Sequence, residues 1–287
     1  MGQVRIVTDS THYLPSALLA EHEFGVVSLY VNESGGTTRE SDLTDLDAFY
    51  ARLRVAEDVP TTSQPSLGDF LAVYEPLLAA GHDIVSVHLA GGISGTIETA
   101  HQAAAEARST HPERRIEVVD SNSTGGGLAL VLLSALAAAR SGAATDAVVA
   151  RAQEACGAAR IWFALDTVEY LRRGGRIGPA AALLGGALKI KPILTVDGVI
   201  TPVERVRTSG RAFERLVDYG AELKAAGSDA WMIQHIQVPE QAAALESRLT
   251  DLFGHGPLYI SECGPVVGAH CGPGLLGVGG IPSRLIS

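Results

Sequence analysis

The segment Asp83–Ala100, DIVSVHLAGGISGTIETA, joins a strand pattern directly to a helix pattern. Ile84–Leu89 is rich in valine and isoleucine, which predicts a largely buried strand. The small residues of Ala90–Gly92 let the backbone turn sharply, and Ser94–Thr96 opens a helix that continues into a run of alanines. A buried strand that leads into a helix through so short a turn is typical of an α/β fold.

The start of this helix carries two hydroxyl groups, on Ser94 and Thr96, with Gly95 between them. Free backbone N–H groups and the helix dipole both favour an anion there, outside the carboxyl end of a strand. The pattern therefore indicates a seat for a small anion. The alternative is that Ser94 only caps its helix.

Strand and helix patterns alternate through the first half of the chain, which predicts an α/β domain with a mainly parallel sheet over residues 1–159. A second series begins near Arg160 and contains Asp197-Gly198, a strong hairpin signal. We therefore expect a second α/β domain, with a mixed sheet, over residues 160–287.

The local patterns also make predictions that the structure can check. They are a single strand at Val26–Val31, a loop through Pro60–Pro65, a helix at Pro179–Leu188, Lys189 and Lys191 on one face of a strand, a last strand at Leu258–Glu262 and a glycine-rich loop around His270.

The charge of the chain argues against one class of partner and points to another. A net charge of −10 is not that of a nucleic-acid-binding protein. Arg160–Arg215 nevertheless carries ten lysines and arginines against five acids, which suggests an anionic ligand or an acidic partner surface. The alternative is a set of solvated helix faces.

A cytoplasmic location is expected from the cysteines and from the apolar runs. Three widely spaced cysteines fit a reducing compartment, and the N-terminus leads into a strand pattern without a secretory signal. The longest apolar run, Leu128–Ala139, is too short to span a bilayer, so we expect no insertion into the membrane.

Three motifs suggest other kinds of chemistry. Gly272–Gly277 matches GxGxxG, but the ten residues after it leave no room for a dinucleotide-binding unit. Ser94 could act as a hydrolase nucleophile with His270 as its base, although the second glycine of the elbow motif is absent. Asp9 and Asp120 each end a strand pattern and could hold a metal for phosphoryl transfer, or could orient loops. A stand-alone enzyme is therefore the alternative function.

Two further side chains could meet an anion. Arg176 follows Gly174-Gly175, which places a guanidinium suited to carboxylates or phosphates beside exposed backbone. His270 has glycines close by that permit a close approach of the backbone.

Eight short stretches occur in one order along almost the whole chain. They are Asp9-Ser10-Thr11, Thr62-Ser63-Gln64-Pro65-Ser66, Ser94-Gly95-Thr96, Asp120-Ser121, Leu171 with Gly174-Gly175-Arg176-Ile177, Lys191-Pro192-Ile193-Leu194, Arg207-Thr208, and His270 with Gly272-Pro273-Gly274. Together they resemble the DegV family, bacterial fatty-acid-binding proteins that include the FakB subunits of fatty acid kinase. Each stretch is short, but their common order is specific.

The resemblance implies two α/β domains that hold a long-chain fatty acid between them, without cofactor, metal or catalytic residue. The implied fatty-acid-binding residues are Thr62, Ser63, Ser94, Gly95, Thr96, Arg176 and His270. It also implies a separate ATP-dependent kinase that phosphorylates the bound carboxylate. An apolar pocket is then required, and Leu128–Leu136 and Ala180–Leu188 could line it or be ordinary core.

One bound carboxylate cannot balance the whole basic excess of Arg160–Arg215. We therefore expect part of this segment, chiefly Arg172, Arg173, Arg205 and Arg207, to face the kinase and steer its approach.

The chain departs from the family pattern just before Ser94. Family members often have two serines where this sequence has Ala90 and Gly91. The difference implies either another contact with the headgroup or a looser loop.

Overall fold

The computed structural model describes residues 3–183 and 190–287. Its strands are β1 (Val4–Asp9), β2 (Phe24–Val27), β3 (Tyr30–Glu33), β4 (Gly36–Arg39), β5 (Thr61–Ser63), β6 (Asp83–His88), β7 (Ile116–Asp120), β8 (Arg160–Ala164), β9 (Lys191–Asp197), β10 (Val199–Val206), β11 (Ala230–His235), β12 (Tyr259–Glu262) and β13 (Leu276–Ile281). Its α-helices are α1 (Ser16–Glu21), α2 (Leu46–Val55), α3 (Leu67–Ala79), α4 (Thr96–Thr110), α5 (Gly126–Arg140), α6 (Thr145–Ala158), α7 (Glu169–Arg173), α8 (Ser209–Ala225), α9 (Pro239–Phe253) and α10 (Pro265–Cys271).

The first sheet is parallel throughout, in the order β2-β1-β6-β7, as the alternating patterns predict. Successive side chains of β6 point to opposite faces of the sheet. Ile84 packs with residues of α3 and α4 on one face, and Val85 packs with residues of α5 and α6 on the other. Covering both faces of the sheet with helices buries its strands, and the strand–turn–helix at Asp83–Ala100 lies in its centre.

The second sheet is mixed, in the order β10-β9-β8-β13-β11-β12, which confirms the predicted sheet type. The hairpin at Asp197-Gly198 joins β9 to β10 as predicted. The sheet also contains β13, a central strand after Leu258–Glu262 that the sequence patterns did not predict. Glycines weaken the strand pattern of β13 in the sequence. In the structure they allow neighbouring residues to pack closely, because a Cβ on Gly279 would lie 2.6 Å from Met232.

A third, small sheet has the order β4-β3-β5 and corrects two predictions. The predicted loop through Pro60–Pro65 contains β5, which pairs with Tyr30–Asn32 of β3. Both prolines lie outside the paired residues, so their missing N–H groups cost no ladder hydrogen bond. The strand predicted at Val26–Val31 is divided between β2 and β3, which belong to different sheets.

Helix α5 lies between the two large sheets and is buried over Gly126–Ala138. All strands of the parallel sheet precede residue 121 and all those of the mixed sheet follow residue 159. The domain division at residues 159 and 160 remains a proposal. The tip of the β9–β10 hairpin contacts the first half of the chain. The Gly198 N–H donates to the Asn122 carbonyl, and a Cβ on Gly92 would lie 2.4 Å from the Gly198 oxygen.

The helix predicted at Pro179–Leu188 begins as a 3-10 turn over Gly178–Leu183. The rest of that prediction, and Lys189, lie outside the described residues. Among the described helices, none combines the length and the apolar character needed to cross a membrane.

Candidate functional site

Five of the predicted site residues line one cavity, which we call the mouth cavity. They are Thr62, Ser63, Ser94, Arg176 and His270. Strand β5, the turn before α4, the loop after α7 and helix α10 each supply part of this set. The cavity is narrow, with a volume of about 70 Å³, and it lies where the two halves of the chain meet.

His270 joins the two halves at the mouth cavity. Its Nε2 lies 2.8 Å from the hydroxyl oxygen of Thr62. The prediction of a loop around His270 is wrong, because this residue lies in the last turn of α10. Pro265 at the first turn and Gly272 just after the helix, with a φ of 72°, are the local signals that define this short helix.

The imidazole of His270 is neutral near pH 7. Burial, with a smaller effect from the Arg176 charge, lowers the pKa of His270 to about 4. His270 is 8% exposed, and its Nδ1 has no hydrogen-bond partner among the described residues. A Cβ at Gly174 would lie 2.2 Å from this Nδ1, so a glycine there makes room for the ring.

Ser94 lines the mouth cavity, and its hydroxyl is in contact with Thr96. Its Oγ lies 2.9 Å from the Thr96 hydroxyl and accepts from the Thr96 N–H at 3.3 Å. Helix α4 has Gly95 as its N-cap residue, and a Cβ there would lie 2.6 Å from the side-chain oxygen of Gln64. Gly95 and Thr96 are not among the lining residues of the mouth cavity; Thr96 hydrogen-bonds to Ser94, and the absence of a side chain on Gly95 leaves room for Gln64.

Arg176 brings the positive charge of the mouth cavity. Its Nε donates to the carbonyl of Ile93 at 3.3 Å, and its Nη1 donates to that of Gly174 at 3.1 Å. These bonds fix the guanidinium beside the turn that carries Ser94. The side chain is half-buried at the rim, where it can still attract an anion.

A second cavity, which we call the tail cavity, adjoins the mouth cavity. The two share Thr124, Ile200, Val267 and Cys271 in their walls. The tail cavity has a volume of about 50 Å³, and its further lining is mostly apolar, including Ile161, Phe163, Val196, Met232 and Leu275. A cavity with polar walls thus adjoins one with mostly apolar walls.

The tail-cavity residues were not identified from the sequence. Of the two segments that could line an apolar pocket or be ordinary core, Leu128–Leu136 is buried core, and helix α5 contributes to the cavity only its first residue, Gly126, and its N-cap residue, Gly125. The described part of Ala180–Leu188 is not among the lining residues. Gln64 and Thr124 are polar residues that also line the mouth cavity and were not predicted as binding residues. Gln64 lies within the Thr62–Ser66 motif.

Asp9 and Asp120 orient loops in the structure. Asp9 accepts hydrogen bonds from the backbone N–H groups of Thr11 and Leu89 and faces His88. Burial raises the pKa of Asp9, but these bonds outweigh it and leave the pKa below its usual value. Asp120 accepts from Gly91 and Asn122. No cluster of three side chains suited to a metal occurs within residues 3–183 and 190–287.

The four arginines expected to face a kinase are all exposed. Arg172 forms an ion pair with Glu169, and Arg173 donates to the backbone carbonyl of Glu57. Arg205 and Arg207 lie on β10 or just after it and form no ion pair with any described residue. Their charges are therefore available to an approaching surface.

The chain departs from the family pattern at Ala90 and Gly91, and there is little space for a side chain at position 91. Gly91 donates its N–H to Asp120, and a Cβ there would lie 2.8 Å from Ile97 and 3.1 Å from the same Asp120 carboxylate. Neither Ala90 nor Gly91 belongs to the described lining of the mouth cavity. A serine at position 91 would require these neighbours to move.

The fold and the cavities define an α/β protein with two large sheets and one small sheet, and with a polar and an apolar cavity side by side at the junction of its halves. A family model described as "Uncharacterised protein, DegV family" matches residues 3–283. A DegV domain-containing protein from Streptomyces coelicolor is 38% identical over 278 residues, 96% of this chain and 97% of the relative. The chain belongs to the DegV family.

Solved structures of this family share the fold. A DegV family protein from Thermus thermophilus, studied for its fatty acid binding, is 31% identical, with a TM-score of 0.86 over 97% of this chain and 99% of that one. DegV of Bacillus subtilis, a fatty acid binding protein, is 31% identical, with a TM-score of 0.85 over 98% and 100%. Fatty acid binding therefore occurs among the proteins that this chain is similar to.

Proposed function

We propose that this protein binds one long-chain fatty acid, with the carboxylate in the mouth cavity and the acyl chain in the tail cavity. The observation that carries the proposal is that a cavity with polar walls adjoins one with mostly apolar walls, the two sharing Thr124, Ile200, Val267 and Cys271. A fatty acid has the same division into one polar end and one long apolar part. The fatty acid binding of the related Thermus and Bacillus proteins supports it.

The mouth cavity offers a carboxylate several hydrogen-bond donors. Thr62, Ser63 and Ser94 present hydroxyls, and Arg176 adds a positive charge at the rim. Neutral His270 acts through Thr62, since a hydrogen bond from the ring to the Thr62 oxygen leaves the Thr62 proton free for the ligand. The site thus balances one negative charge without burying a second cation.

We also propose that the bound carboxylate is accessible to a partner. Ser63 is exposed, so the carboxyl end of the ligand lies next to solvent. We propose that an ATP-dependent kinase in the cytoplasm phosphorylates it there, guided by Arg172, Arg173, Arg205 and Arg207. In this account the protein carries the substrate and does not catalyse. A hydrolase role for Ser94 is disfavoured, because among the described residues the Ser94 hydroxyl bonds to Thr96 and the His270 ring bonds to Thr62, and no hydrogen bond joins Ser94 to His270.

Mass spectrometry of an organic extract of the purified protein tests the proposal. We expect about one fatty acid per chain, and uptake of added oleate or palmitate by delipidated protein. An extract without stoichiometric fatty acid, together with no uptake, would contradict it. Hydrolysis of an ester or of ATP by the protein alone would favour an enzyme instead.

A further inference from the structure

Glu40 is a buried acid outside the cavities. It stands in a short 3-10 turn, Glu40–Asp42, and is 6% exposed. A buried carboxylate is costly unless hydrogen bonds or a cation compensate it. In the part of the chain that the structure describes, no lysine, arginine or histidine forms an ion pair with Glu40. Its hydrogen bonds must therefore explain its presence.

The carboxylate of Glu40 accepts from three groups. Its Oε1 accepts from the Tyr13 hydroxyl at 2.7 Å and from the Val266 N–H at 2.8 Å, and its Oε2 accepts from the Ser10 hydroxyl. The Tyr13 oxygen in turn accepts from the Val267 N–H at 3.1 Å. Glu40 and Tyr13 thus satisfy two N–H groups of the first turn of α10, which have no partner within the helix.

This first turn belongs to the wall of the candidate site. Val266 and Val267 both line the mouth cavity, and His270 lies one turn later on the same helix. The hydrogen bonds therefore tie the first half of the chain to the helix that carries the His270–Thr62 contact. A shift of this turn would move the valine wall and the imidazole together.

We propose that Glu40 is a positioning residue: its ionised carboxylate holds the first turn of α10, and through it Val266, Val267 and His270, in the arrangement that receives the ligand. The effect on ligand release rests on the proposed function, whereas the effect on His270 concerns the protein without ligand.

The pKa values of the groups that face Glu40 allow the ionisation of Glu40 to be followed separately from theirs. Burial raises the pKa of Glu40 to about 7, its three hydrogen bonds oppose this rise, and the Asp9 charge adds to it. Burial raises the pKa of the neighbouring Tyr13, Tyr50 and Cys263 well above their usual values, and the pKa of Asp9 is lowered. Between about pH 6 and pH 8, Glu40 is thus the member of this group that changes charge.

The variant Glu40→Gln keeps the shape of the side chain and removes its charge. We expect the full-length variant to release bound oleate about tenfold faster than wild type at pH 8, because hydrogen bonds to a charged acceptor are about twice as strong as neutral ones. Wild-type release should accelerate as the pH falls through about 7, and release from the variant should not depend on pH in this range. Glu75→Gln, which alters a remote pair with His111, is the matched control and should behave as wild type.

Nitrogen-15 NMR of the histidine rings gives a second readout without ligand. Glu40→Gln and the milder Tyr13→Phe should both shift the His270 ring signals, with Tyr13→Phe testing the proposal should Glu40→Gln not fold. The proposal would be overturned if the folded variants released oleate at the wild-type rate and with the wild-type pH dependence, and if their His270 signals did not shift. If wild-type protein binds no fatty acid, the proposed function fails, and the His270 signals still decide the role of Glu40.

Discussion

The mouth and tail cavities are built in different ways. The mouth takes its polar side chains from β5, from the segments before α4 and after α7, and from α10, which come from both halves of the chain. The tail is lined mostly by strands of the mixed sheet, with Gly125 and Gly126 at the start of α5. A few hydrogen-bonding groups thus define one end, and the shape of a packed interior defines the other. The two ends should respond differently to substitution.

Blocking the junction of the two cavities should have the largest effect. Ile200 is buried on β10 and lines both cavities, so Ile200→Trp should keep the acyl chain out of the tail. Each methylene left in water costs about 0.8 kcal/mol, so excluding three or four of them weakens binding by roughly 100-fold. Titration calorimetry with palmitate measures this loss.

The matched control for the blocking variant is Val203→Trp. Val203 lies on the same strand but is 40% exposed. The control should bind palmitate as wild type does. Full affinity in Ile200→Trp, with a folded protein by thermal melting, would show that the acyl chain does not pass this point.

Removing one mouth hydroxyl should have a smaller effect. Ser94→Ala should weaken fatty acid binding by about 1.5–3 kcal/mol, the range for hydrogen bonds to charged groups. Ser109→Ala, at the other end of α4, removes a hydroxyl bonded only to the Glu106 carbonyl and serves as control. If Ser94 only supports the start of α4, the free energy of unfolding should fall by about 1 kcal/mol while affinity stays unchanged.

The neutral imidazole of His270 predicts a pH effect on stability. Its pKa falls from 6.5 to about 4 on burial, so the unfolded chain takes up a proton at higher pH than the folded one. The free energy of unfolding should therefore decrease as the pH falls from about 6.5 to about 4, by on the order of 3 kcal/mol. The pKa of His12 is lowered to about 4 in the same way.

His270→Asn should accordingly remove this contribution of His270 and leave the separate, similar contribution of His12. Urea unfolding at several pH values between about 4 and 7 measures it. An unchanged pH dependence in His270→Asn would contradict the burial of a neutral ring.

The exposed arginines should give the smallest effect. Replacing Arg172 and Arg173 by glutamate should lower the rate of acyl-phosphate formation several-fold at limiting protein concentration and leave fatty acid affinity intact. The effect should weaken with salt, because exposed charges are screened beyond about 8 Å at physiological ionic strength. Arg172 is already paired with Glu169, so Arg205→Glu with Arg207→Glu should have at least as strong an effect.

Unchanged kinetics in both double variants would leave these arginines as a solvated surface. Loss of fatty acid binding in either would instead assign the arginines to the pocket. A kinase assay at two salt concentrations, with calorimetry on the same preparations, separates these outcomes.

The mouth was easier to predict from the sequence than the tail for a physical reason. Thr62, Ser63 and Ser94 stand in short polar motifs next to turns, where local patterns are informative. The tail depends on which apolar residues fail to fill space when two sheets pack together. Met232 and Phe163 look like any core residue in the sequence, and only the assembled sheet places them beside a cavity.

The same reason explains which elements were predicted. The parallel sheet and the hairpin at Asp197-Gly198 follow from periodicity and turn chemistry. Strand β13 was missed, because Gly277, Gly279 and Gly280 weaken a strand pattern and their role is close contact with neighbouring strands. Helix α10 was missed, because its seven residues are too few for a clear helical period.

The orientation of the ligand tests the central claim most directly. Palmitate labelled with carbon-13 at its carboxyl carbon should give one bound NMR signal, which shifts in Ser94→Ala and Thr62→Val and stays in place in Val278→Ala, a change in the wall of the tail cavity. A carboxyl signal that moves with the tail variant and ignores both mouth variants would contradict the account.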